Sequence, residues 1–420
     1  MSSEQNPSKN KIHNIVILIG SIVVGTFLIY YFCNPKPQFF YDYTFRVADN
    51  FLHGALGFKE KPPSWLNEFV PFENNWYSVF PLGAVLSMIP AALLKVTGVI
   101  SDMPGAWVSA LLAAAICYLL LKMSDRYDLA HSRKVVLTLA MLFGTFMWTN
   151  LTFAGAWQLA LGFAMVGELG AIYFTVFNRK PLIAGAFFAL AFGNRTEILL
   201  TAPILMYLLC WPGGDQLPGQ TPTKKPPTDA GGSPFRRIAY FCIVPFVLGV
   251  STLIYNDVRF DSFTDFGYAR IPGVLDEPWY QHGIFSVQYI PGQIWEMLFK
   301  MWTWRDTFPY FMPDGFSSSI LFSSPFLFLL FRVGARDGAL KLASWIAVVV
   351  LMIILWMHGN SGGWQFGYRY FMVALPWVFV ILLESSPKRV SPVEWTLFGL
   401  SFLANAYATW LFNWTNYLKQ

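Results

Sequence analysis

The stretch Phe39 to Gly57, FFYDYTFRVADNFLHGALG, carries two carboxylates seven residues apart with an arginine between them. At about 100° per residue, a helix here sets Asp42, Arg46, Asp49 and His53 within roughly a 60° arc and puts Tyr41, Phe45, Ala48 and Leu52 on a separate stripe. The pattern predicts an amphipathic helix lying on a membrane, its charged face turned toward something polar. Two carboxylates on one face can act as a general base with an orienting partner, or as ligands of a divalent cation. Asp42 also suits a helix start, where a carboxylate stabilises free N–H groups.

Four further clusters set ionisable groups against apolar runs, where such groups are costly and are functional candidates by default. Gly193-Asn194-Arg195-Thr196-Glu197 lies between two apolar segments. Its guanidinium matches phosphate oxygens in pairs, although Glu197 could simply neutralise it. Tyr255 to Ser262 brings Asn256 and Arg259 directly after a span and continues to Tyr268 and Arg270, a density of polar and aromatic residues that suits a sugar or phosphate. Trp302 to Asp306 and Tyr310 to Gly315 look like an interfacial aromatic belt. His358 to Tyr370 has glycines that let backbone approach a ligand, with Trp364 among them and Arg369 entering the next span.

The background to these clusters is lipid-like. The 420 residues are 55% hydrophobic and only 13% charged, against about 25% charged in soluble domains, and mean hydropathy is +0.45. The net charge of +5 and pI near 8.9 come from Lys and Arg between apolar runs, a mark of topology rather than of nucleic-acid binding. Cys33, Cys117, Cys210 and Cys242 lack metal-ligand spacing. No P-loop, dinucleotide fingerprint or zinc-protease motif occurs, which argues against ATP-driven transport and nicotinamide chemistry.

The expected fold is all-α, a polytopic transmembrane domain covering 1–420 with about 11–13 membrane segments and amphipathic juxtamembrane helices in the outer loops. Ile12 to Phe32 is a retained first span with its N-terminus inside. Further spans fall near 79–98, 105–123, 135–150, 156–177, 181–193, 195–211, 237–255, 318–332, 340–357, 370–384 and 393–412. The pair 181–193 and 195–211 is either a tight hairpin or one broken helix. Basic loops at 122–134, 178–180, 332–341 and 388–389, with a flexible linker at 212–236, should be cytoplasmic. All five polar clusters then collect on the opposite face. One conflict remains in that count, because residues 34–78 outside and 122–134 inside require an odd number of crossings while two apolar segments lie between them. A re-entrant 79–98, with Pro81 and Pro90, would remove it.

In this order the clusters resemble the bacterial members of the GT-C superfamily, integral membrane glycosyltransferases using polyprenyl-phosphate-linked sugars and related to the protein mannosyltransferase and aminoarabinose transferase families. The resemblance rests on Tyr41-Asp42-Tyr43-Thr44-Phe45-Arg46 after the first span, on Asn256 to Ser262 leading to Gly267-Tyr268, and on Gly363 to Tyr370 opening a late span. Asp261 departs from a usual Gly, and Thr196 stands where relatives often have Pro. The resemblance implies a polyprenyl-phosphate sugar donor and a hydroxyl acceptor on a lipid, saccharide or protein. It places the site on the periplasmic face of a bacterial inner membrane and implies inversion at the sugar carbon. Asp42 would be the base, with Asp49 assisting it or binding a divalent cation; no other cofactor is implied. Arg195, Arg259 and Arg369 would take the donor phosphate, and Arg46, Glu197, Asn256, Tyr268 and Trp364 the remaining substrate contacts. The alternative is a transporter or flippase of a lipid-linked or polar solute. It would favour internal repeats and mid-helix charges, whereas no repeat is evident here and the clusters sit at span ends.

The orientation has a direct test. In single-cysteine variants, a cysteine replacing Glu60 should be labelled by an impermeant thiol reagent from outside intact cells, and one replacing Lys225 should not. Labelling of the linker would overturn the assignment.

Overall fold

The computed structural model describes residues 7–34, 41–211 and 233–417. Residues 212–232 of the expected linker, and Phe39 and Phe40 of the first charged stretch, lie outside the described residues. The chain is helical, as expected, with two short antiparallel hairpins: Phe69–Phe72 pairs with Asn75–Ser78, and Thr303–Trp304 with Phe311–Met312. Among the described residues, four helices are long and apolar enough to cross a membrane: Gly105–Ser124, Ala156–Phe177, Pro234–Phe260 and Gly338–Trp356. Helices Pro7–Phe32 and Pro392–Trp414 flank them at the two ends of the chain.

Several of the remaining expected spans are interrupted helices, and their breaks follow from local chemistry. The 79–98 segment splits at Met88, ahead of Pro90, into Leu82–Ser87 and Ile89–Val96, each too short to cross. That leaves one long apolar helix, Gly105–Ser124, between the first outer region and the basic loop, so the crossing count becomes odd. His131–Phe143 stops at Gly144, and the chain restarts as Met147–Thr152. Pro181–Asn194 ends where Arg195 turns extended, at φ −138° and ψ 96°, before a 3-10 turn leads into Ala202–Cys210. Arg179, ahead of the first of these helices, donates to the carbonyl of Trp211, beyond the second, at 2.6 Å. The two ends therefore return to one level, and the segment is a hairpin with Arg195 at its turn.

Small residues bring the helices close, as expected where no water drives them together. A Cβ on Gly83 would collide with the backbone of Gly193, and one on Gly167 with that of Ala191. Leu82–Ser87 thus lies directly against Pro181–Asn194, and Ser87 receives a 2.8 Å hydrogen bond from Asn194 beside the Arg195 turn. Most of the buried apolar residues form one cluster from Tyr30 to Phe412, and a smaller one gathers Val70, Val79, Phe260, Ile271, Val274 and Tyr280.

Opposite the Arg195 turn, charges join segments far apart in sequence. Glu394 accepts from buried Arg133 at 2.5 Å and from Arg332 at 2.8 Å, and it closes a capping box with Ser391 at the start of Pro392–Trp414. Tyr127 donates to Glu384 at 2.6 Å. A mid-span charge, not anticipated from the clusters at span ends, is Glu168. It is fully buried inside Ala156–Phe177, and the indole N–H of Trp377 donates to it at 2.5 Å.

Candidate functional site

The helix predicted around the first carboxylates is Tyr43–Leu52. Its charged face forms as the spacing requires: Arg46 meets Asp42 at 2.5 Å, and His53 lies 3.7 Å from Asp49. The helix does not lie free on a membrane, because Phe45, Val47 and Ala48 are buried in the protein core and Lys95 of Ile89–Val96 reaches Asp49 at 2.6 Å. Asp42 holds the N-cap position without a side-chain capping bond, so its carboxylate faces Arg46 instead. Burial lifts the Asp42 carboxyl above its ordinary value, although Arg46 pulls the other way.

Among the described residues no group of three or more His, Cys, Asp or Glu side chains could hold a metal ion. Asp42 and Asp49 are each neutralised by a cation, Arg46 and Lys95. This donor set does not fit a divalent cation, and no step is derived through one.

The Arg195 turn and the His358–Tyr370 segment meet. The guanidinium of Arg195 lies 5.2 Å from the ring centre of Tyr370, and that of Arg369 lies 5.4 Å from the same ring. Two cations thus flank one aromatic face, where the ring quadrupole attracts them. Glu197 takes Nε and Nη2 of Arg195 at 2.8 and 2.7 Å. Arg369 donates from Nη1 to the carbonyl of Gly363, while its Nε is buried without a partner among the described residues. An unmet buried N–H on a guanidinium is a place for an anion.

Tyr268, Tyr280 and His358 make the neighbouring wall. The two tyrosine hydroxyls are 2.9 Å apart, and Tyr280 lies 3.4 Å from His358 Nε2. Burial, together with the nearby charge of Arg195, holds the His358 imidazole below its usual range, so it is neutral at pH 7. Its Nδ1 faces the Asn360 carbonyl at 2.7 Å and so carries the hydrogen, which leaves Nε2 as an acceptor.

The sequence reading passed over Glu68. Both of its oxygens lie 2.8 Å from the indole nitrogen of Trp157. The residue as a whole is half-buried, and its carboxyl lies deep in the protein. Burial pushes its carboxyl up to about 7, with Arg369 and Arg195 close enough to pull it partly back. Trp157 also packs on Tyr41 and Tyr43, at 5.1 and 5.2 Å between ring centres, which joins Glu68 to the helix that Asp42 begins.

Other predicted residues stand elsewhere. Arg259 is fully buried and donates to the carbonyls of Ser78 and Phe80 and, at 2.7 Å, to Asn256 Oδ1, which is itself buried. Both residues are struts between Pro234–Phe260 and the hairpin ahead of Leu82–Ser87, and neither is open to a ligand. Trp364 packs on Phe153 and Phe412 with its backbone in the left-handed region, at φ 47°. Arg46 is half-exposed beside Asp42.

No protein-family model matches this chain, and no curated protein does. Its fold is similar to a solved structure of an oligosaccharyltransferase from Archaeoglobus fulgidus tethered with an acceptor peptide containing the NVT sequon. The identity is 15% and the TM-score 0.39, over 94% of this chain and 55% of the other, so the chain spans about half that protein's length.

The two kinds of arginine should separate on mutation. Arg259→Ala leaves buried carbonyls without a donor, at about 1–3 kcal/mol each, and should lower the midpoint of thermal unfolding in detergent by several degrees. An unchanged midpoint would remove its structural role. Arg369→Ala, which frees only the Gly363 carbonyl, should lower the midpoint by less.

Proposed function

We propose that the chain is a membrane glycosyltransferase that moves a sugar from a polyprenyl-phosphate donor to an acceptor hydroxyl on the outer face of a bacterial inner membrane. What supports this reading is the pair of guanidiniums flanking Tyr370, one with a buried N–H left without a partner among the described residues, near Glu68, in an apolar protein with helices long enough to cross a membrane. A soluble phosphate donor would not require such a site to be built among lipid-facing helices. A phosphate on a long apolar chain would, since the exposed apolar helix faces give that chain a place to lie.

The chemistry needs no strong acid. As the bond between the sugar carbon and the phosphate oxygen breaks, negative charge grows on the departing polyprenyl phosphate, and Arg195 and Arg369 stand where that charge can be held. The acceptor oxygen forms the new bond to the sugar carbon, and its proton passes to a carboxylate. Asp42 takes that role in this reading, with Arg46 orienting it and Asp49 held behind it by Lys95. Attack from the face opposite the phosphate inverts the sugar carbon. Glu68, Tyr268, Tyr280 and neutral His358 offer donors and acceptors to sugar hydroxyls, and the Tyr370 ring offers a flat face for stacking.

The transporter or flippase reading draws support from Glu168, a buried mid-span carboxylate hydrogen-bonded by an indole rather than by a cation. The two readings differ in what Glu168→Gln does: it should leave sugar transfer in place under the first and abolish movement of the solute under the second.

Purified protein incubated with a panel of polyprenyl-phosphate sugars and detergent-soluble acceptors should release polyprenyl phosphate for at least one donor. Asp42→Asn should lower that turnover about 100-fold or more while leaving the protein folded, and Arg369→Ala should raise the KM for the donor. Failure to release polyprenyl phosphate from any donor would remove the reading, and near-wild-type turnover in Asp42→Asn would remove Asp42 as the base.

A further inference from the structure

An open surface pocket with a mixed polar and apolar lining lies at the basic end of the molecule, and nothing in the proposed transfer uses it. It has a volume of about 400 Å³ and lies between the loop Arg332 to Arg336 and the end of the helix Leu375–Ser385. Arg336 spans it, with Nη1 on the carbonyl of Leu383 at 2.6 Å and Nη2 on that of Ser386 at 2.7 Å. Arg332 enters from the other side with one nitrogen on Glu394, and Lys341 fastens the loop by donating to the carbonyls of Arg332 and Gly334 at 2.8 Å. The acid in the lining, Glu384, is fully engaged: Tyr127 and the backbone N–H of Asp337 each donate to it at 2.6 Å. Arg332 and Arg336 therefore both line the pocket, Arg332 paired with Glu394 and Arg336 held by carbonyls without a carboxylate of its own, while the oxygens of Glu384 are both taken.

The depth of the cavity identifies its occupant. It sits where the apolar helix Gly338–Trp356 begins and Leu375–Ser385 ends, at the level where a bilayer has its headgroups. Val333 at its mouth is 95% exposed, and Phe331 stacks on Trp345 of the apolar helix. Exposed Leu342, Ile346, Val349 and Ile353 follow one another at helical spacing along that helix. An anion with aliphatic chains fits this combination of a cationic pocket and an adjoining apolar strip, whereas a small soluble anion would have no use for the strip. Basic pockets between helices at this level recognise lipid phosphates.

We propose that this pocket binds the phosphate headgroup of an anionic phospholipid, whose chains lie along the exposed face of Gly338–Trp356. The proposal does not depend on the transferase reading. The full chain, purified in detergent and exposed to an equimolar mixture of phosphatidylglycerol and phosphatidylcholine, should retain phosphatidylglycerol preferentially in native mass spectrometry. Val333→Glu removes no hydrogen bond and no buried surface, and by placing a like charge at the mouth should cut bound phosphatidylglycerol about fivefold with an unchanged thermal midpoint. Arg336→Gln should weaken retention in the same direction. Equal retention of the two lipids, or a preference that survives both variants, would overturn the proposal. Displacement of phosphatidylglycerol by inorganic phosphate would do so as well, because it would show a site for the free anion.

Discussion

An ion taken out of water must find an opposite charge or a full set of hydrogen bonds, because its desolvation otherwise exceeds what packing returns. That constraint bears on both ends of this molecule. At the basic end the carboxylate oxygens are all matched: Glu394 by Arg133, Arg332 and the N–H of Ser391, and Glu384 by Tyr127 and the N–H of Asp337. These contacts tie residues near 130 to residues near 390 and hold the helix ends together. At the other end, as at Arg133, the matching is incomplete. Arg369 keeps an unmet N–H, and Glu68 keeps accessible surface and a carboxyl lifted to about 7. The first cluster is fully buried at Arg133 and Glu394, although Arg133 also keeps Nε and Nη1 without a partner among the described residues, while the second is partly open at Arg195 and Glu197.

The open cluster exists because the helices around it are broken. A continuous helix satisfies its own backbone and offers only side chains, whereas an interrupted one presents carbonyls, N–H groups and charged side chains at the break. Arg195 stands at an extended residue between two helices, Arg369 starts a 3-10 turn ahead of Leu375–Ser385, and Leu82–Ser87 stops short of crossing. The glycine contact between Gly83 and Gly193 brings two of these interrupted segments together beside the Arg195 turn. Irregular backbone at membrane depth is tolerated where protein covers it or where it lines a cavity, and here it does both.

Much of this was legible in the sequence, where a charge stood out against apolar neighbours. Arg195 and Arg369 are conspicuous for that reason, and the spacing of Asp42, Arg46, Asp49 and His53 specified their pairing because a helix fixes which residues face one another. Arg259 was conspicuous in the same way and was assigned to phosphate, yet its partners are carbonyls at Ser78 and Phe80, far away in the chain. Residue type shows that a buried arginine needs acceptors and does not show whether the protein already supplies them. Glu68 gave the reverse error. It lies in an ordinary mixed loop with Glu60 and Lys61, where a carboxylate attracts no notice, and only folding encloses it beneath Trp157. Its one local signal is position, immediately ahead of the apolar strand Phe69–Phe72. Glu168 was hidden in a different way, as a single acid within a long apolar run.

The central claim is that Glu68 is buried beside the two guanidiniums, with its carboxyl lifted into the neutral range. It is tested most directly by the thermal midpoints of the wild type and Glu68→Gln in detergent, from about pH 4 to about pH 9. Because the folded-state pKa is raised from 4.5 to about 7, the folded protein binds the proton more tightly than the unfolded chain does. Ionising Glu68 therefore lowers stability progressively between those two values, and the deficit stays constant above them. Gln has no such deficit. The account predicts that the variant gains on the wild type as pH rises from 4.5 to about 7 and keeps a constant lead beyond it. A difference independent of pH, or a variant that loses ground as pH rises, would contradict it.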